Sequence, residues 1–104
     1  MIRVLIVDDE ILARVGIQSL LENCRDIQVV GAFNLASDAL DFMKTNLVDI
    51  VITDIEMPYM NGLEFIRKIR EQHLAEGIVI LSCYDKFEYA KQAVKLGAAD
   101  YLLK

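Results

Sequence analysis

Val4-Leu5-Ile6-Val7-Asp8-Asp9 is the stretch that decides the fold. Four apolar residues run without interruption and stop at two adjacent carboxylates. A strand with one wet face alternates apolar and polar residues. A strand that is apolar at every position is covered on both faces, the habit of parallel strands flanked by helices. Downstream the period changes: Ala13, Ile17, Leu20, Leu21 and Cys24 fall at i, i+4, i+7, i+8 and i+11, one face of a helix. A second strand reads from Ile27 to Phe33, with Gly31 marking a bulge or a close backbone approach.

The alternation then repeats. Asn34 reads as an N-cap, and Ala36, Ala39, Leu40, Met43 and Leu47 keep helical spacing. Val48 to Thr53 is a third strand. Asp54-Ile55-Glu56-Met57-Pro58-Tyr59-Met60-Asn61-Gly62 is a loop, because Pro58 and Gly62 break regular structure. Asn61 with Glu64 three residues on is a cap signal, and Phe65, Ile66 and Ile69 give the next helix its inward face. Gly77 closes the connection to a fourth strand, Ile78 to Leu81. Asp85 with Glu88 opens a fourth helix, with Phe87, Ala90 and Val94 inward and Gly97 as its stop. Ala99 to Leu103 is a fifth strand. Such a β-α alternation predicts a doubly wound open parallel sheet, since five strands in about 100 residues cannot close an eight-stranded barrel.

Composition agrees with one globular domain. The chain has 104 residues, 55% hydrophobic and 26% charged, with a net charge of −5. The first half holds four basic and eight acidic residues, so the negative excess sits early. No basic stripe suits nucleic acid, and no apolar run nears the ~18 residues of a membrane span. Cys24 and Cys83 lack metal spacing or a disulfide framework, and the start lacks a signal peptide, so the expectation is a cytoplasmic protein.

The chemistry lies where the strands end. Asp8 and Asp9 follow the first strand, Asp54 the third, Ser82 the fourth and Lys104 the fifth. In parallel sheets these ends share one edge, and ligands bind there where strand order reverses. In the flavodoxin-like order 2-1-3-4-5 the first and third strands are neighbours, so Asp8, Asp9 and Asp54 converge. Three carboxylates in one crevice repel one another unless a hard dication sits among them, and oxygen ligands suit Mg²⁺. With Lys104 the formal charge of such a site comes to zero, which suits phosphoryl transfer, and one aspartate could itself be the nucleophile. Each residue also has a plainer reading: Asp8 and Asp9 as helix caps, Asp54 as a turn former, Ser82 as a loop hydroxyl, Lys104 as a solvated charge.

Val7-Asp8-Asp9-Glu10, the loop from Thr53 to Gly62, Leu81-Ser82, and Asp100-Tyr101-Leu102-Leu103-Lys104 together resemble the receiver domain of two-component response regulators, over all 104 residues. The resemblance implies that Asp54 takes a phosphoryl group from a histidine kinase. It implies that Asp9, Asp54 and the backbone carbonyl of Glu56 bind Mg²⁺, with Asp8 reaching it through water. Lys104 would pair with the phosphoryl oxygens, the Ser82 hydroxyl would hydrogen-bond them, and Tyr101 would turn inward when Ser82 moves. A receiver of this kind is a phosphoacceptor rather than an enzyme, and it controls a covalently linked output domain. Ser82 to Ala90 resemble the receivers joined to AraC-type helix-turn-helix outputs. Receivers normally continue from the lysine into a fifth helix. This chain stops at Lys104, so the resemblance implies an uncovered apolar sheet face and a chain that forms a homodimer or borrows cover from a neighbour.

The remaining candidates read as structural. His73 is a boundary or solvated histidine, Cys24 packs in the core, and Met43, Met57 and Met60 fill core or loop. Cys83 lies in the site region with no activating cation beside it in sequence. Tyr84, Phe87 and Tyr89 divide between core and a partner surface. Three rival functions fit the residues less well. A metal-dependent phosphohydrolase needs room for a substrate cap. A flavin carrier needs a phosphate loop where Asp8-Asp9-Glu10 stands. A pseudo-receiver would lack the acidic set.

Overall fold

The computed structural model describes residues 1–55, 57, 59–82, 91, 92, 95 and 100–103. Along these residues run β1 (Ile2–Val7), α1 (Ile11–Glu22), β2 (Ile27–Phe33), α2 (Ala36–Thr45), β3 (Ile50–Asp54), α3 (Gly62–Gln72), β4 (Gly77–Ser82) and β5 (Asp100–Leu103). The strands form one parallel sheet in the order β2-β1-β3-β4-β5, the doubly wound order expected.

Alternation along the strands sorts their side chains between two faces. Leu5 and Val7 of β1, Val51 of β3, and Ile78 and Ile80 of β4 are wholly buried on one face. They pack with Ala36, Ala39, Leu40 and Met43 of α2 and with Phe65, Ile66 and Ile69 of α3 in a single core. At about 25 cal/mol per Å² of apolar surface, each such side chain contributes roughly 1.5–3 kcal/mol. On the other face Val4 and Ile6 are buried, and α1 packs there against β1 and β2. Ile50, Ile52, Val79 and Leu81, next along that face, are half-buried.

Asp49 sets the register at the N-terminal edge. Its carboxylate accepts the Arg3 backbone N–H at 2.7 Å, and its own N–H donates to the Arg3 carbonyl at 2.9 Å. The Asp49 carbonyl accepts N–H groups from Glu76 and Gly77 at 3.1 and 3.0 Å, so β1, β3 and β4 start from one clamp. The Arg3 N–H bond, reinforced by the Arg3 guanidinium at 3.4 Å and opposed by desolvation, holds the Asp49 carboxyl below its ordinary value. From this start Val4 pairs with Ile50 and Val7 with Thr53, which brings Asp8 level with Asp54.

Several expectations need correction. No residue of α1 is buried, and Leu20, placed inward by its spacing, is 73% exposed. The sheet-facing stripe is Ala13, Ile17 and Leu21, all half-buried, and the helix ends at Glu22. Cys24 therefore lies beyond the helix, exposed rather than packed in the core. Leu47 likewise lies beyond α2 and is 72% exposed. The N-cap of α2 is Leu35 rather than Asn34, with no side-chain cap bond. His73 is an exposed C-cap of α3 in the left-handed region, the solvated reading. Gly31 stands where the β1–β2 register slips by one residue, as a bulge requires. Of the expected fourth helix only Lys91, Gln92 and Lys95 are described, helical and exposed. Cys83, Tyr84, Phe87, Tyr89 and the caps at Asp85 and Gly97 lie outside the described residues. Among the described residues no helix is long and apolar enough to cross a membrane.

Candidate functional site

β1 and β3 are neighbours whose buried residues run to their C-terminal ends, so the core holds the chain in place right up to the acids at those ends. Asp8 comes directly after β1 and is 1% exposed; Asp54 closes β3 and is 6% exposed. Such burial of an acid is sustained by hydrogen bonding. The Asp8 N–H donates to the Phe33 carbonyl at 3.0 Å, and the Asp8 Oδ1 accepts the Glu10 N–H at 2.9 Å. The Asp54 Oδ1 accepts the Ile55 N–H at 2.7 Å, which fixes the direction of its carboxylate. Thr53, wholly buried, donates its hydroxyl to the Asp54 carbonyl at 2.8 Å.

The loop after Asp54 is shaped by two features. Tyr59 adopts a positive φ of 70° and is 96% exposed. Gly62 brings the N-terminus of α3 against the end of β3, its N–H donating to the Ile55 carbonyl at 2.5 Å. Asn61 caps α3 as expected, its Oδ1 accepting the Glu64 N–H at 2.9 Å.

Asp8, Asp9, Glu10 and Asp54 bring one carboxylate oxygen each within 4.8 Å of the others. Asp8 and Asp54 are buried, Asp9 and Glu10 exposed, so the cluster has a fixed floor and a solvent-facing rim. Hard oxygen donors with up to four negative charges fit a Mg²⁺-sized dication and no soft metal. The three aspartates named from sequence are therefore brought together. Ser82 ends β4 beside β3, and Tyr101 lies in β5 paired with Ile80. Glu56 and Lys104 lie outside the described residues.

Two neighbours escaped the sequence reading. Glu10 joins the cluster directly after the acid pair. Arg14, one turn into α1, donates from Nη1 to the Asp8 carbonyl at 2.7 Å. For Arg14 the signal was spacing: side chains on a helix lean toward its N-terminus, so a cation at the fourth residue reaches back over the preceding loop. Two open depressions in the surface lie at the opposite edge, around Asp49 and Glu76, away from these carboxylates.

A family model described as the response regulator receiver domain matches residues 4–104. The response regulator UvrY of Escherichia coli (strain K12) is 39% identical over 104 residues, covering 100% of this chain and 48% of that protein. The chain thus spans about half the length of the curated relatives it matches. Among solved structures, the receiver domain of Francisella response regulator 1452 superposes with a TM-score of 0.85 at 31% identity, covering 100% of this chain and 84% of that one. A DNA-binding response regulator of the LuxR family from Staphylococcus aureus gives 0.89 at 27% identity, covering 99% and 86%.

Proposed function

This chain belongs to the response regulator receiver domain family, and from that premise we propose that Asp54 accepts a phosphoryl group from the phosphohistidine of a sensor histidine kinase. The observation that carries the reading is the convergence of Asp8, Asp9 and Asp54 at one sheet edge, with Asp54 buried and its carboxylate held by the Ile55 N–H. In the transfer an Asp54 carboxylate oxygen forms the new bond to phosphorus as the phosphorus–nitrogen bond of the donor breaks. The electron pair returns to the imidazole, which then takes up a proton. Asp9, Asp54 and the Glu56 carbonyl would hold Mg²⁺, with Asp8 reaching it through water. When bound, the ion offsets the carboxylate charge and that of the incoming phosphoryl oxygens. Positioning falls to the chain itself, since the core beneath β1 and β3 fixes the two buried aspartates.

Lys104 follows β5 and Ser82 ends β4, so both fall at the same edge in the proposal. Lys104 pairs with the phosphoryl oxygens and the Ser82 hydroxyl hydrogen-bonds them. Tyr101 responds to the movement of Ser82. The new negative charge thereby biases a two-state arrangement of the β4–β5 side of the domain. Residues 1–104 act as one receiver unit, in the cytoplasm, and control a linked output domain. The LuxR-family neighbour is a DNA-binding response regulator, and the AraC-type resemblance points the same way, so the output is transcriptional. The segment itself contacts no nucleic acid. Self-association belongs to this reading too: Ile11, Leu12, Val15 and Leu20 put apolar surface in water, and a monodisperse monomer in sedimentation would count against it.

The deciding experiment is intact-mass analysis after incubation with acetyl phosphate, with and without Mg²⁺, beside Asp54→Asn. A Mg²⁺-dependent gain of one phosphoryl group, absent in the variant, is expected. No gain in a folded chain, or an equal gain in Asp54→Asn, would overturn the assignment.

A further inference from the structure

The loop between β1 and α1 carries three of the four clustered acids, and Arg14 is bonded to its backbone. Arg14 is half-buried, and its Nη1 donates to the Asp8 carbonyl at 2.7 Å. Its own N–H donates to the Glu10 carbonyl at 3.1 Å, so residue 14 grips the loop at two points. A hydrogen bond from a guanidinium is about twice as strong as one between neutral groups.

The identity of the acceptor matters. The Asp8 carbonyl belongs to the peptide plane that joins Asp8 to Asp9, and its orientation sets the direction in which Asp9 leaves the strand. The rest of Asp8 is already fixed, its N–H on the Phe33 carbonyl and its Oδ1 on the Glu10 N–H. Rotation of the 8–9 peptide is the freedom left, and the Arg14 bond restrains it. The guanidinium also stays charged at every working pH, and it is bonded to the backbone of the loop that carries three of the four clustered acids.

We propose that Arg14 is a positioning residue for the cation site, its bond to the Asp8 carbonyl holding Asp8 and Asp9 in their ligand orientation. The inference rests on reading the carboxylate cluster as a Mg²⁺ site. Arg14 itself touches neither the ion nor the phosphoryl group. Groups that orient ligands from one shell out are commonly worth tenfold or more in metal affinity.

The test is calorimetric titration of Mg²⁺ into the wild-type chain, Arg14→Met and Arg14→Lys, with thermal melts in EDTA as the measure of folding. Arg14→Met keeps the aliphatic packing and loses the charged donor, so its Mg²⁺ affinity falls about tenfold. Arg14→Lys returns a charged donor of similar reach and recovers most of that loss. A purely structural role would lower both affinities in step with the EDTA melts. That outcome, or wild-type affinity in folded Arg14→Met, overturns the inference alone. A wild-type chain that takes up no Mg²⁺ overturns the site reading and this inference with it.

Discussion

Replacing Gly62 by alanine tests how tightly α3 is seated against the end of β3. Gly62 is buried at the first position of α3, and its N–H donates to the Ile55 carbonyl at 2.5 Å. A Cβ at this position would stand 2.6 Å from the Ile55 Cα and 2.7 Å from the Asp54 carbonyl oxygen, both rigid backbone atoms. Ordinary contact begins near 3.5 Å, so α3 must back away by about 1 Å. Overpacking of that kind costs about 1–3 kcal/mol, and the stretched N–H bond adds about 1. The helix preference of alanine returns less than about 1 kcal/mol at a terminal position. The net loss is about 2–3 kcal/mol, a fall in Tm of about 10 °C for a domain of this size. Gly16→Ala is the control, an exposed mid-helix glycine with nothing within 4 Å of its absent Cβ. It should gain up to about 1 kcal/mol. Urea unfolding of both variants decides the matter. If Gly62→Ala matches the wild type within about 0.5 kcal/mol while Gly16→Ala behaves as stated, the close approach is not what holds the loop against Asp54.

Other outcomes follow from the same geometry. Asp9→Asn removes one of four clustered charges. In EDTA it should melt about 4 °C higher, from roughly 1 kcal/mol of relieved repulsion, while losing most of the Mg²⁺-induced rise in Tm; a lower Tm in EDTA would refute the repulsion. Asp49 has its carboxyl depressed below the ordinary 3.8, so its stabilising share is present above that value and fades as pH falls through the depressed one. Asp49→Asn should therefore be less stable than wild type at pH 7, with the gap closing in acid; a gap independent of pH would refute the linkage. Phe65, wholly buried between α3 and the sheet, should lose about 3–5 kcal/mol on replacement by alanine, read by urea unfolding. A loss below about 1 kcal/mol would mean the core is not where the burial puts it.

Sequence patterning revealed most of the fold because the strands of this sheet are buried on the α2–α3 face and begin and end in residues of contrasting chemistry. Val4 to Val7 is uniformly apolar because β1 is central, and the acid pair after it marks its end. Asp54 closes β3 in register with that end, which is why spacing alone brought Asp8, Asp9 and Asp54 together. The errors fall where one face is wet. In α1 the apolar residues occupy more than the sheet-facing stripe, so periodicity assigned Leu20 and Cys24 to a core that lies on the other side of the sheet. Leu47 failed for a related reason, since an apolar residue past a helix end satisfies the spacing without the helix. Arg14 was missed because its partner is a backbone carbonyl, which leaves only the residue's spacing, one turn into α1, to point to it.

The two adjacent acids of the β1 end show how one dipeptide supplies both rigidity and access. Asp8 directly follows the buried end of β1, while Asp9 stands one residue further on, in the bend before α1. Asp8 is the inward one, 1% exposed and bonded through its N–H and its carboxylate to backbone groups. Held this way it cannot follow a ligand, and its charge is a fixed part of the floor beside Asp54. Asp9 is exposed, which would let it close on a cation from the solvent side. The pair therefore divides at the end of β1, and chemistry that needs one immobile and one adaptable carboxylate would find both there.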